Sequence, residues 1–111
     1  GIPSAVFTTP PMASVGLQET DAEQSGYAFA VSHGDMGSWQ STQKAGEDTA
    51  GFKLLLEKDT GKILGAHLLG PGAAETINLF AVAVKFGLTA VDLKSMLFAY
   101  PTFGADIRHM L

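Results

Sequence analysis

The stretch GFKLLLEKDTGKILGAHLLGPGAAETINLFAVAVKFG, Gly51 to Gly87, decides the fold. Its first half reads as two strands, Gly51–Glu57 and Lys62–Leu69, joined by Lys58-Asp59-Thr60-Gly61. Gly61 falls where a tight hairpin turn wants a positive φ. In the first strand Phe52, Leu54 and Leu56 alternate onto one face. The second strand is apolar on both faces apart from His67, as expected for a strand in the middle of a sheet or beneath another layer. After Gly70-Pro71-Gly72 the apolar period lengthens and predicts a helix over Ala73–Phe86, closed by Gly87.

That helix carries two apolar stripes. Ile77, Phe80, Ala81 and Val84 follow the i, i+3, i+4, i+7 spacing, and so do Leu79, Val82, Ala83 and Phe86. A surface helix needs only one such stripe. Two of them predict one face on the sheet and the other buried elsewhere, with a subunit interface as the natural candidate. The expected interface residues are Leu79, Phe80, Val82, Ala83 and Phe86.

Upstream, Ser4–Thr8 is a strand candidate stopped by Pro10-Pro11. Thr20-Asp21-Ala22-Glu23 has the form of a capping box, and Gly26 is placed to end the short helix it begins. Tyr27–Ser32 alternates as a strand, with Tyr27, Phe29 and Val31 on one face. Gly34–Ala50 is polar and irregular, a surface excursion anchored by Met36 and Trp39. Downstream, Thr89-Ala90-Val91-Asp92 opens another short helix, Tyr100-Pro101 interrupts the chain, and Phe103–Leu111 forms a last short helix. The expected class is α+β: an antiparallel sheet of about four to five strands with helices packed on one side.

Composition bounds the function. The chain has 111 residues, one domain's worth, with 46% hydrophobic and only 16% charged residues. A soluble domain usually has about 25% charged, so part of this surface is expected to be covered. The net charge is -4 and the seven basic residues are scattered, which argues against nucleic acid as a partner. With no cysteine there is no disulfide framework, thiolate site or redox pair within the chain. His33, His67 and His109 are isolated, so no metal is expected. His67 reads as structural, and Glu75 as a favourable neighbour of its helix start. No apolar run has the length of a membrane span and no leader pattern opens the chain. Beginning at Gly1-Ile2-Pro3, it reads as a piece of a longer, cytoplasmic polypeptide.

Three blocks carry a resemblance: Val6-Phe7-Thr8-Thr9-Pro10-Pro11-Met12-Ala13-Ser14-Val15-Gly16-Leu17, Asp59-Thr60-Gly61-Lys62-Ile63-Leu64-Gly65-Ala66-His67-Leu68-Leu69-Gly70, and Phe80-Ala81-Val82-Ala83-Val84-Lys85-Phe86-Gly87. In this order they resemble the C-terminal dimerisation domain of FAD-dependent pyridine nucleotide–disulfide oxidoreductases of the glutathione reductase, dihydrolipoamide dehydrogenase and mercuric reductase type. The resemblance implies a homodimer. It also implies upstream FAD- and NAD(P)H-binding domains, where the glycine-rich loops and the CxxxxC pair would lie. FAD and NAD(P)H are thus cofactors of the whole protein, and none is expected on this chain alone.

The family's motif near the C-terminus is His-Pro-Thr with a Glu three residues on, an acid–base dyad that serves the partner subunit. Here the segment is Tyr100-Pro101-Thr102-Phe103-Gly104-Ala105, so Tyr100 stands for the His and Ala105 for the Glu. Asp106 is one residue further, a helical rotation of about 100°. By position, Tyr100 is the candidate catalytic residue. Tyr100, Pro101 and Thr102 are the candidates for touching the partner subunit's FAD. Two alternatives stay open: a freestanding dimeric binding or assembly module, and a diaphorase-like flavoenzyme without disulfide chemistry.

Overall fold

The computed structural model describes residues 3–6, 12–35, 51–70, 72–95 and 110–111. Five strands form one antiparallel sheet: β1 (Ser4–Val6), β2 (Met12–Gly16), β3 (Phe29–Asp35), β4 (Gly51–Glu57) and β5 (Ile63–Leu69). Their spatial order is β1-β2-β5-β4-β3. The helices are α1 (Glu19–Gln24), α2 (Ala73–Phe86) and α3 (Ala90–Lys94). The α+β class is as expected.

The β4–β5 hairpin is the centre of the sheet. Gly61 takes φ 75, and its N–H donates to the Glu57 carbonyl at 2.8 Å. The Thr60 hydroxyl donates to the Glu57 carboxylate at 2.6 Å. Lys62 lies just outside β5 and bridges instead to Thr89. Between Leu55 and Leu56 the register slips, so Leu55 pairs with Gly65 and Leu56 with Ile63.

One face of the sheet carries the core. Ala13 and Val15 of β2, Leu54 of β4, and Ile63, Ala66 and Leu68 of β5 meet Ala73, Ile77, Phe80 and Ala83 of α2, Leu93 of α3 and Met110. A fully buried Phe such as Phe80 contributes roughly 1.5–3 kcal/mol by leaving water. The Ser32 hydroxyl donates to the Met110 carbonyl at 2.8 Å and ties the chain end to β3.

The opposite face holds the alternate residues, and the N-terminal end of α1 is fastened there. Lys53 follows Phe52 and precedes Leu54, both turned to the core, so it points to the other face. There its Nζ lies 2.7 Å from Glu19 Oε1. The described helices therefore do not all share one side: α2 and α3 cover one face and the short α1 is tied to the other.

Several boundaries differ from the sequence reading. β3 runs Phe29–Asp35 rather than Tyr27–Ser32, because backbone pairing continues through polar His33 and Gly34 to Gly51. Tyr27 precedes the strand and is exposed. The α1 cap lies two residues earlier than Thr20: Asp21 accepts a hydrogen bond from the Gln18 N–H at 3.2 Å, which leaves Thr20 and Glu23 exposed. Periodicity does not mark β2, since only Ala13 and Val15 form its buried face. Phe7 and Thr8, at the end of the first expected strand, lie outside the described residues. So do the excursion beyond Asp35, with Met36 and Trp39, and most of the last helix expected over Phe103–Leu111.

Two glycines let the backbones of β2 and β5 meet. Gly16 pairs with Gly65. A Cβ on Gly65 would strike the Leu17 carbonyl, and one on Gly16, where φ is 76, would strike the Leu64 carbonyl. The Leu17 N–H donates to that Leu64 oxygen at 3.0 Å. Gly26 also has a positive φ, but nothing lies within 4 Å of its added Cβ. Gly65→Ala should therefore cost about 3 kcal/mol, because backbone must move. Gly26→Ala should cost about 1 kcal/mol, from conformational strain alone. Urea denaturation of both variants checks this, and equal losses would contradict it.

Candidate functional site

The sequence assigns its candidate residues to two places, the outer face of α2 and the segment around Tyr100. α2 starts after Gly72, whose φ is 77, and ends at Gly87, whose φ is 65. The Leu88 N–H reaches back to the Ala83 carbonyl at 2.9 Å, a left-handed glycine cap that stops the helix. Lys85 in the last turn suits the negative end of the helix dipole. Its Nζ lies 5.5 Å from the centre of the Phe86 ring.

The two stripes divide differently from the sequence reading. Ala73, Thr76, Ile77, Phe80 and Ala83 are buried in the chain's own core. Phe80 and Ala83 have no exposed surface to offer a partner chain. Of the five residues expected at an interface, these two face the chain's own core. The physical reason is angular: residues 76, 80 and 83 lie on one line down the helix, and that line faces β2 and β5. Leu79, Val82 and Phe86 remain on the outward line. Leu79 is partly buried against the core, whereas Val82 is 49% and Phe86 67% exposed. On α3, Val91 is 76% exposed, an outward apolar residue that the sequence reading does not select. Its signal is the capping box: Thr89 and Asp92 exchange hydrogen bonds at 2.9 and 3.1 Å, and this fixes Leu93 inward and Val91 outward.

Tyr100, Pro101, Thr102, Ala105 and Asp106 all lie outside the described residues. No group of three or more possible metal ligands occurs among the described residues. Nor is any described helix long and apolar enough to cross a membrane. His67 is part-buried, and its Nε2 donates to the Leu17 carbonyl at 3.1 Å, a structural bond that helps hold the chain between β2 and α1. Glu75 is exposed in the first turn of α2.

The charge pair on the sheet's other face has a measurable pH signature. Glu19 is held below the ordinary carboxylate range, first by its hydrogen bond from Lys53 and then by the charge of Lys53. A lowered folded-state pKa contributes stability that is complete above the unfolded value, about 4.3, and is lost as pH falls through the lower folded value. Wild type should therefore exceed Glu19→Gln in stability at neutral pH. The gap should close below about pH 4, and should also shrink in salt. Paired denaturation curves at the two pH values read it directly, and a pH-independent gap would remove the ion pair as its cause.

Comparisons with known proteins point one way. Residues 2–111 match the family described as pyridine nucleotide-disulphide oxidoreductase, dimerisation domain. A Staphylococcus aureus protein, described as an uncharacterized 19.7 kDa protein in a mercuric resistance operon, is 48% identical over 110 residues, 99% of this chain and 61% of that protein. The mitochondrial dihydrolipoyl dehydrogenase of Rattus norvegicus is 37% identical over 108 residues, 96% of this chain and 21% of that enzyme. The HOCl-induced flavoprotein disulfide reductase RclA from Escherichia coli superposes with a TM-score of 0.92 at 26% identity, over 98% of this chain and 25% of its own. The chain thus spans less than two-thirds of each of these relatives.

Proposed function

This chain belongs to the pyridine nucleotide–disulphide oxidoreductase family as its dimerisation domain, and from that premise we propose that it joins two copies of an FAD- and NAD(P)H-dependent oxidoreductase through the outward line of α2. The observation that carries the reading is the exposure of Val82 and Phe86 on a helix whose opposite side is already full. Exposed apolar patches on soluble domains mark contact surfaces. Leu79 would complete the contact from beneath, and Phe80 and Ala83 would support it from the core.

The described residues do not by themselves fit a dinucleotide. A flavin or nicotinamide site of the usual kind needs a parallel strand–helix–strand unit with its glycine turn. Among the described residues every strand pairing is antiparallel. On the family's pattern, FAD and NAD(P)H would be held by upstream domains of the parent protein. In this reading Tyr100, Pro101 and Thr102 border the partner subunit's flavin, with Tyr100 at the family's His position and Ala105 at its Glu position. A tyrosine, with a reference pKa near ~10, does not take up a proton at neutral pH as histidine does. Tyr100 would close the pocket and donate a hydrogen bond. Cytoplasmic location belongs to the same proposal.

One observation favours a second reading. The staphylococcal relative is a 19.7 kDa protein, too small to carry flavin and nicotinamide domains of the usual size beside this one. A freestanding module that dimerises without redox chemistry is the corresponding alternative. The length of the native open reading frame separates the two. A frame several times longer than this chain, with an upstream CxxxxC, supports the enzyme. A length near that of the staphylococcal relative supports the module.

Two outcomes test the proposal. Val82→Glu combined with Phe86→Glu should turn a dimer into a monomer in sedimentation equilibrium while leaving the fold intact, because neither side chain is in the core. A monomeric wild-type chain at high concentration would contradict the interface. In the parent enzyme, Tyr100→Phe should lower turnover less than about tenfold, ~1.4 kcal/mol of barrier. A loss on the order of a thousandfold with flavin content unchanged would make the phenol a general acid–base group and overturn the pocket-closing role.

A further inference from the structure

The sheet face opposite α2 carries a transverse row of polar residues. Ser4 pairs with Ser14, Ser14 with His67, His67 with Lys53, and Lys53 with His33. One residue comes from each of the five strands, at neighbour spacings of about 4.8 Å. All five line a single open cleft of about 460 Å³. Small-molecule sites run roughly 300–1,000 Å³. The row beside it is apolar: Met12 pairs with Leu69, and both line the same cleft.

Among the described lining residues the one formal charge is the Lys53 ammonium. The whole chain has a net charge of -4. Among the described residues no Asp or Glu lines the cleft, while Lys53, His33 and His67 do. Glu19 approaches from α1 and occupies one donor of the Lys53 ammonium, at 2.7 Å. An ammonium has three donors, which leaves room for a second anionic group. Neighbouring polar atoms are already engaged: His67 Nε2 is spent on the Leu17 carbonyl, and the Ser4 and Ser14 hydroxyls bond each other at 3.2 Å.

We propose that this cleft binds a small organic carboxylate with a short apolar chain. The carboxylate meets Lys53, flanked by His33, and the apolar chain lies along Met12 and Leu69. Glu19 competes for the same ammonium and sets the affinity. This inference stands on the sheet face alone and does not depend on the oxidoreductase reading.

The test is an amide chemical-shift titration of the full chain with hexanoate, with hexanol and inorganic phosphate as separate probes. Hexanoate should shift Ser14, Lys53, His67 and Leu69 together, with a Kd of about 1 mM or tighter. Hexanol, which lacks the charge, and phosphate, which lacks the chain, should each bind at least about tenfold more weakly, a factor of ten being about 1.4 kcal/mol. Lys53→Gln should weaken hexanoate by a similar factor. Glu19→Gln should tighten it several-fold, an outcome that a merely structural role for the ion pair would not produce. Absence of hexanoate shifts in these residues would overturn the proposal, and so would equal binding by phosphate or an unchanged affinity in Lys53→Gln.

Discussion

The packing of Ile77, Phe80 and Ala83 across β2 and β5 is the constraint on which the rest of the structure depends. The 14-residue helix α2 cannot turn all of its apolar positions toward one sheet. Once Phe80 is seated, the angular spacing of about 3.6 residues per turn determines which neighbours face out. Val82 and Phe86 follow from that geometry, so the proposed contact surface is a consequence of how the core is filled. The sheet is built to receive this helix. Ala13, Val15 and Ala66 line the floor beneath α2, and the larger Leu54, Ile63 and Leu68 complete the core around them.

The same sheet presents a different chemistry on its reverse. Strand alternation puts each residue between two core positions onto the far face. Ser14 lies between Ala13 and Val15, Lys53 between Phe52 and Leu54, and His67 between Ala66 and Leu68. The polar row is therefore a by-product of core alternation as far as folding is concerned. The Gly16–Gly65 crossing brings Leu17 down onto this face, where it meets His67 and leads into α1. One domain thus offers two unlike surfaces: the outward apolar line of α2, and a polar cleft across the strands.

The hairpin, its turn and the full extent of α2 are legible in the sequence, because each rests on local rules: alternation, a glycine with positive φ, and a helix closed by Gly87. The α3 cap is legible for the same reason, since Thr89 and Asp92 sit three apart. β2 is not, because two inward residues, Ala13 and Val15, are too weak a periodic signal to separate a strand from a loop. The end of β3 is hidden by polar His33 and Gly34, which pair through backbone atoms that sequence pattern does not report. The inner and outer stripes of α2 cannot be ordered by sequence alone. The sheet decides which is inner, and it seats Phe80 and Ala83 in the core. The polar row depends on the registers of five strands, and no local pattern contains them.

Intermolecular nuclear Overhauser effects in a mixed sample of differently labelled chains bear most directly on the central claim, that the outward line of α2 joins two copies. Contacts between chains are expected at Val82 and Phe86, with none at Phe80 or Ala83. Intermolecular contacts confined to the reverse face of the sheet, or none at all at concentrations where the chain is dimeric, would contradict it.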